Sequence, residues 1–423
     1  MKNLFAIIFL LLSSTLFGQS QTKRVLFLGN SYTYVNNLPQ MISDAANSTG
    51  DTLIFDSNAP GGYTLQQHSV DATSLSKIAV GNWDDVVLQE QSQMPSFPIS
   101  QVETDVFPYA HNLDSIIHSE NSCAETIFYM TWGRKNGDAS NCATWPPVCT
   151  YSGMDSLLRL RYMMMADSNN AVVSPVGAVR NYLRQNFPLI ELYQTDESHP
   201  SVEGTYAAAC CFYATIYRKD PTLITFNSTI LAADAANIRN AAKLVVYDSL
   251  LNWHIGEYDP FANFNYTSNG TQITFTNTSS NSVNYEWNFG DGDTSSSPNP
   301  VHTYIGGGSY TVMLIAAKCG KSDTLIQTIN VSALGIFQPK TNTDLEWNIL
   351  PNPVTSFLTI NTDVTGTLNF KIYNVLGEEM MGGEITNANK PVDVSVLPKG
   401  IYFLQLRDSY QTFGQRKFVT VRK

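Results

Sequence analysis

A serine stands at the end of an apolar run, in Val25-Leu26-Phe27-Leu28-Gly29-Asn30-Ser31, and far along the chain an aspartate and a histidine lie three residues apart in Asp196-Glu197-Ser198-His199-Pro200. An Asp and a His at that spacing can set a carboxylate against one imidazole nitrogen while the other nitrogen faces a serine from a different element. That arrangement turns a hydroxyl into a nucleophile. Two further segments could serve the oxyanion that such an attack creates. Ala59-Pro60-Gly61-Gly62-Tyr63 offers an unobstructed backbone N–H, and Leu88-Gln89-Glu90-Gln91-Ser92 offers side-chain amides after a second apolar run. Together they point to acyl transfer through an acyl-serine intermediate. Taken singly, each has a plainer use: Ser31 as a helix cap, the Asp–His pair as a capped turn, the glycines as a turn, the glutamines as solvated loop residues.

The elements that must bring these segments together follow from the hydrophobic pattern between Arg24 and about Gly256. Short apolar runs alternate with helical stretches: RVLFLGNS then LPQMISDAAN, DDVVLQEQS then VFPYAHNLDSIIHS, TIFYMTWG then MDSLLRLRYMMMADS, AVVSPVG then GTYAAACCFYATIYR. This predicts βαβ units, an α/β class domain with a central parallel sheet between two helical layers. In such sheets ligands bind outside the carboxyl ends of the strands, where the four segments fall. Tyr63, Gln66, His68, Trp132 and Arg134 also follow strand ends. Tyr63, Trp132 and Arg134 are expected to line the substrate cleft, Trp132 as a sugar-stacking face and Arg134 as a hydrogen-bonding fork. His68 reads as a loop or helix-surface residue rather than a second base, and Met163, Met164 and Met165 as helix core.

In order and spacing the four segments resemble the SGNH (GDSL-type) hydrolase family over residues 22–256. The family's serine block matches Gly29-Asn30-Ser31, its glycine block Gly61-Gly62, and its closing block Asp196 to His199. The resemblance implies an SGNH-like three-layer α/β/α domain with Ser31 as nucleophile, His199 as general base and Asp196 orienting the imidazole. The oxyanion hole would comprise the N–H of Ser31, that of Gly62 (Gly61 as fallback) and a side-chain amide. Asn30 replaces the family's usual Asp, and LQEQS replaces its usual GxND turn. LQEQS looks more like the YQGES-type strand end of the sialate acetylesterase-like branch, which puts the amide donor at Gln89, with Gln91 as fallback. This chemistry requires no nucleotide, metal or organic cofactor. The expected activity is that of a secreted serine esterase acting on acyl, foremost acetyl, esters of carbohydrate. The alternatives are a long-chain lipase or thioesterase and a non-catalytic carbohydrate-binding protein of the same fold.

Composition bounds the rest. The 423 residues suggest about three domains. Acids outnumber bases 36 to 25, for a net charge of −11, which argues against nucleic acid as a partner. Only 14% of residues are charged but 43% are hydrophobic, which excludes a disordered chain. Lys2, the apolar run Leu4 to Leu12 and the small residues up to Ser20 read as a signal peptide over residues 1–20. That run is shorter than the ~20 residues a spanning helix needs, so no stable membrane span is expected. In an exported chain the six cysteines can form disulfides. Cys142 and Cys149 are the best local pair, and Cys123 could reach Cys210 or Cys211. The six scattered histidines suggest no metal cluster.

Beyond Glu257 the texture changes to short β-type runs. Trp287-Asn288-Phe289-Gly290-Asp291-Gly292-Asp293, then His302-Thr303-Tyr304 and Gly308-Ser309-Tyr310-Thr311-Val312, resemble a PKD-type β-sandwich over residues 261–333. Asp291 and Asp293 could bind calcium, but turn hydrogen bonding is the favoured reading, with His302 structural. Leu350-Pro351-Asn352-Pro353, Tyr373-Asn374-Val375-Leu376-Gly377 and Leu397-Pro398-Lys399-Gly400-Ile401-Tyr402 resemble the type IX secretion C-terminal sorting domain over residues 346–423. That resemblance implies contact with the secretion machinery and delivery across two membranes, to the surface or beyond.

Overall fold

The apolar runs of the first 256 residues become parallel strands because each is buried on both faces and lacks the polar alternation of a half-solvated sheet. The computed structural model describes residues 20–332, 347–362, 367–375, 377–386, 391–407 and 412–421. The expected leader lies outside the described residues except for Ser20, as does the Thr- and Asn-rich bridge near residues 338–343.

The first unit holds strands β1 (Thr22–Leu28), β2 (Thr52–Asn58), β3 (Asp85–Leu88), β4 (Glu125–Tyr129) and β5 (Val172–Ser174), in the order β2-β1-β3-β4-β5. The sequence pattern did not single out β2. It is an edge strand in which only Leu53 is buried, so it needs no continuous apolar run, yet it pairs with β1 from Thr22↔Thr52 to Leu28↔Asn58. The chain moves outward from β1 to β2 and then in the other direction through β3, β4 and β5. The order therefore reverses between β1 and β3, whose carboxyl ends carry Ser31 and the Gln89–Gln91 segment.

Among the described residues ten α-helices flank the sheet: α1 (Ser31–Tyr34), α2 (Leu38–Asn47), α3 (Leu65–His68), α4 (Ala72–Ile78), α5 (Ile99–Asp105), α6 (Phe107–Glu120), α7 (Tyr151–Asn169), α8 (Val176–Asn186), α9 (Val202–Tyr217) and α10 (Ala232–Val245). From Gly204 to Tyr217 every residue of α9 is buried. Its alanines let α2, α8 and α10 pack closely around it, as expected for a helix that is apolar on all sides.

The second unit has strands β6 (Phe264–Asn269), β7 (Gln272–Asn277), β8 (Asn284–Asn288), β9 (Thr294–Ser295), β10 (Val301–Thr303), β11 (Gly308–Lys318) and β12 (Lys321–Val331), in two antiparallel sheets ordered β10-β7-β6 and β12-β11-β8-β9. Trp287 is buried between them with Phe264 and Phe275. Gly290 has φ +83°, and a Cβ there would lie 2.4 Å from the Thr311 carbonyl, so the turn after β8 admits only glycine. Asp291 binds His302 at 2.7 Å and the Asp293 N–H at 3.2 Å. Asp291, Asp293 and His302 offer ligand atoms within 4.8 Å of one another, a grouping that the scatter of histidines along the sequence concealed. The third unit pairs β13 (Trp347–Leu350), β14 (Phe357–Thr362) and β17 (Pro391–Asp393) in one sheet. A second sheet combines β15 (Leu368–Tyr373), β16 (Glu379–Ile385), β18 (Gly400–Arg407) and β19 (Thr412–Thr420).

Cys142 bonds Cys149 as the local spacing suggested. The reading of Cys123 is corrected: it bonds Cys319, in the turn between β11 and β12, while Cys210 and Cys211 are buried free thiols. The bond ties the second unit to the amino end of β4, away from the mouth where the Ser31 turn emerges. Around it Arg218 pairs with Glu125 at 3.1 Å and with Asp259, and Lys321 pairs with Asp259 at 2.7 Å.

Candidate active site

β1 runs into Gly29, where a Cβ would meet Thr33 Oγ1 at 2.4 Å and Gln89 Oε1 at 2.7 Å. Only glycine lets the turn pass so close to its neighbours. Asn30 then caps α1, its side-chain oxygen accepting the Tyr32 N–H at 3.2 Å, and Ser31 is the first residue of the helix. Its N–H, in the first turn, has no intrahelical partner.

His199 Nε2 lies 2.9 Å from Ser31 Oγ, and His199 Nδ1 is hydrogen-bonded to Asp196 Oδ2. Asp196 Oδ1 accepts the N–H groups of Ser198 and His199, each at 3.0 Å. Partial burial acts to raise the Asp196 pKa, but the bonds from His199 and these backbone groups outweigh it and hold the carboxyl below its usual range. The loop keeps its shape through Glu197, which sits at φ +60° with its carbonyl accepting the Lys135 N–H at 2.9 Å. Gln194 N donates to the His199 carbonyl at 2.8 Å.

The loop rests on an aromatic stack. Tyr32 lies flat on Trp132 with ring centres 4.4 Å apart, and the Arg180 guanidinium covers the Trp132 ring at 3.9 Å. The Tyr32 hydroxyl shares a 2.7 Å hydrogen bond with the Ser198 hydroxyl, and Trp132 Nε1–H donates to the Ser198 carbonyl at 3.1 Å. Trp132 is fully buried. The expectation that it offers a sugar-stacking face is therefore corrected: both faces are covered from inside and its N–H holds the His199 loop. Arg134 is likewise committed, to Asp138 at 3.0 Å and to Gln93, so it is no free fork for substrate.

The expected amide donor is corrected in the same way. Gln89 is fully buried, and its two N–H hydrogens go to Asn30 Oδ1 at 2.7 Å and the Glu90 carbonyl at 2.8 Å. Its Oε1 takes the Asn30 N–H at 3.0 Å and the Thr33 hydroxyl at 2.8 Å. Gln89 is thus an internal bracket of the nucleophile turn. Gln91 differs: its Oε1 accepts the N–H of Gln93 at 3.0 Å and of Met94 at 3.3 Å, which leaves the NH2 as its uncommitted end. Gly61 and Gly62 are exposed, Gly62 at φ +75° with open space where a Cβ would stand. Tyr63 is half-buried, and its carbonyl accepts Asn30 Nδ2 at 2.8 Å, tying the glycine loop to the nucleophile turn.

Two further residues at the site escape the sequence reading, and a third, His68, is placed differently by it. Glu90 is buried beside no cation, accepting the N–H groups of Leu65 and Gln91; burial pushes its pKa to about 8 against the pull of those two bonds. Tyr34, three residues after Ser31 on the same short helix, is 54% exposed, and no other aromatic side chain among the described residues before Phe261 is as open. Its hydroxyl stands 3.6 Å from the position of a Cβ on Gly61. His68 is buried rather than on a surface, against the Gly29 carbonyl.

A doubly wound parallel sheet with helices on both faces is the build that the SGNH resemblance implied. The comparisons identify the other two units. Residues 260–333 match the family model of the PKD domain, and residues 348–421 that of the secretion system C-terminal sorting domain. The sorting domain marks the chain for export, to the cell surface or the medium, and implies contact with the secretion machinery. Among the described residues no helix is long and apolar enough to cross a membrane. The pre-pro-metalloprotease PrtV of Vibrio cholerae is 42% identical over 77 residues, which are 17% of this chain and 8% of that protein. The chain thus spans under a tenth of the length of the curated relatives it matches. Among solved structures, it is similar to a DUF4886 family protein from Bacteroides uniformis, with 16% identity and TM-score 0.47 over 55% of this chain and 99% of that one. It is also similar to the psychrotrophic esterase EstA from a Pseudoalteromonas species, with 13% identity and TM-score 0.32 over 46% of this chain and 97% of that one.

Proposed function

We propose that residues 22–256 form an exported serine esterase that removes acyl groups, foremost acetyl, from carbohydrate. The observation that carries this reading is the hydrogen-bond chain Ser31–His199–Asp196 at the switch point of the sheet. Ser31 Oγ attacks the ester carbonyl as its proton passes to His199 Nε2, and Asp196 stabilises the resulting imidazolium. The oxyanion takes hydrogen bonds from the N–H of Ser31 and of Gly62, with the Gln91 NH2 as third donor. Collapse expels the alcohol, which receives the proton from His199. Water then attacks the acyl-Ser31 through the same base, releasing the acid and restoring the serine.

Exposed residues in the segments that form the site include Tyr34, Asn36, Asn37, Gly61, Gly62, Gln66, Asp196 and Glu197. A polar rim with one open aromatic suits the hydroxyls and the apolar face of a sugar better than a long acyl chain. The test is hydrolysis of p-nitrophenyl acetate and acetate release from acetylated polysaccharides. Ser31→Ala should lower both by at least about 1,000-fold with the melting temperature preserved. Unchanged turnover removes the serine mechanism, and preference for octanoate over acetate esters removes the acetyl assignment.

A further inference from the structure

The buried His68 has no part in the acyl-transfer steps, yet it lies directly behind the nucleophile turn. One ring nitrogen, Nε2, is 2.8 Å from the Gly29 carbonyl oxygen, and the other, Nδ1, is 2.7 Å from the Ser74 hydroxyl. A carbonyl only accepts, so Nε2 carries hydrogen and donates. Ser74 is itself buried at the start of α4, where the Asp71 carboxylate caps its N–H at 2.8 Å and lies 3.0 Å from its hydroxyl. Asn58, at the end of β2, closes the ring: its side-chain NH2 donates to Asp71 at 2.8 Å and to Ser74 at 2.9 Å, and its carbonyl takes the Gly29 N–H at 3.1 Å.

The peptide between Gly29 and Asn30 is therefore held from both sides, its oxygen by His68 and its N–H by Gln89 Oε1 at 3.0 Å. The next peptide carries the Ser31 N–H. With the first plane fixed, the Asn30 backbone (φ −143°, ψ −147°) sets the direction of the second, and so of the oxyanion donor and of Oγ. We propose that His68, fixed by Asp71 and Ser74, is a positioning residue for Ser31: its Nε2–H locks the Gly29 carbonyl and thereby aims the nucleophile and its N–H. This rests on the esterase reading and adds to it. A displacement on the order of 1 Å at a reacting group costs roughly 100-fold in rate, which sets the scale of the effect.

Two amide replacements separate aiming from mere packing. His68→Gln places an NH2 at the reach of Nε2 and keeps the bond to Gly29, whereas His68→Asn reaches only to the position of Nδ1 and keeps the contact with Ser74. His68→Leu removes both. On p-nitrophenyl acetate, His68→Gln should retain kcat within about threefold. His68→Asn and His68→Leu should lose roughly 10- to 100-fold in kcat with KM within about twofold, and labelling by a fluorophosphonate should slow in parallel. The two amide variants should melt within a few degrees of each other. Equal kcat for Gln and Asn, wild-type kcat for Leu, or losses that track melting temperature across the set would overturn the positioning role. If the wild-type enzyme shows no Ser31-dependent turnover, the esterase reading falls and this role with it. If it turns over and Asn matches Gln, only the positioning role falls.

Discussion

Glu90 allows a stability prediction whose size follows from its surroundings. The carboxyl lies buried at the end of β3 with backbone N–H groups but no cation, and its pKa rises from an ordinary 4.5 to about 8. A carboxyl with a raised folded-state pKa binds its proton more tightly in the folded chain than in the unfolded one. Its contribution to stability is therefore fully present below pH 4.5 and is lost as the pH climbs through about 8. Each pKa unit is worth about 1.4 kcal/mol, so the loss across this window is about 5 kcal/mol. Glu90→Gln keeps an oxygen for the Leu65 and Gln91 N–H groups and cannot ionise. For a domain of this size 1 kcal/mol corresponds to about 2–4 °C, so the variant should melt within about 2–3 °C of the wild type at pH 5 and roughly 10–20 °C above it at pH 9. The assay is thermal unfolding followed by tryptophan fluorescence at half-unit pH steps. Every other titrating group is common to the two proteins and cancels in the difference. Parallel curves for the two proteins, or a gain at pH 5 as large as at pH 9, would refute the reasoning.

Two further outcomes can be checked. Tyr34→Ala should raise KM for an acetylated oligosaccharide by about 2- to 12-fold, as expected from the loss of one stacking contact, while p-nitrophenyl acetate kinetics stay within about twofold; matched kinetic comparison reads the difference. Cys319→Ser should destabilise the docked second unit by about 2–5 kcal/mol, the usual contribution of a native cross-link, visible in calorimetry as an earlier transition, with esterase turnover unchanged because the bond lies at the far end of the sheet.

The main strands of the first unit are legible in the sequence because parallel strands buried on both faces must be written as apolar runs, and each is followed by a helical period. β2 is not, because an edge strand with Asp56, Ser57 and Asn58 carries neither signal. Ser31, Asp196 and His199 could be picked out because their types and their places after predicted strands restrict their chemistry. Gln89 and Trp132 were assigned outward because strand ends usually open to solvent. The structure turns both inward, for reasons that lie in a partner. Gln89 fills the space that Gly29 leaves by lacking a Cβ, and Trp132 is sandwiched by Tyr32 and Arg180, distant in sequence. The glycine before the serine held the only local clue, since a bare backbone at the end of a buried strand must be covered by something. The partner of Cys123 depended on how two units dock, which no spacing within either unit encodes.

The cross-link between Cys123 and Cys319 makes a covalent ring of 196 residues' separation, and the residues of the proposed active site fall on both sides of its closure. Ser31 precedes the ring, Asp196 and His199 lie within it, and the sorting domain follows it. A protease that nicks an exposed loop between the two cysteines opens the ring without severing the molecule. The segment before Cys123, Ser31 included, stays fastened to the segment that carries the sorting domain. For an exported protein a single backbone cut within the ring leaves the two segments covalently joined, and a thiol that reduces the bond removes that tether.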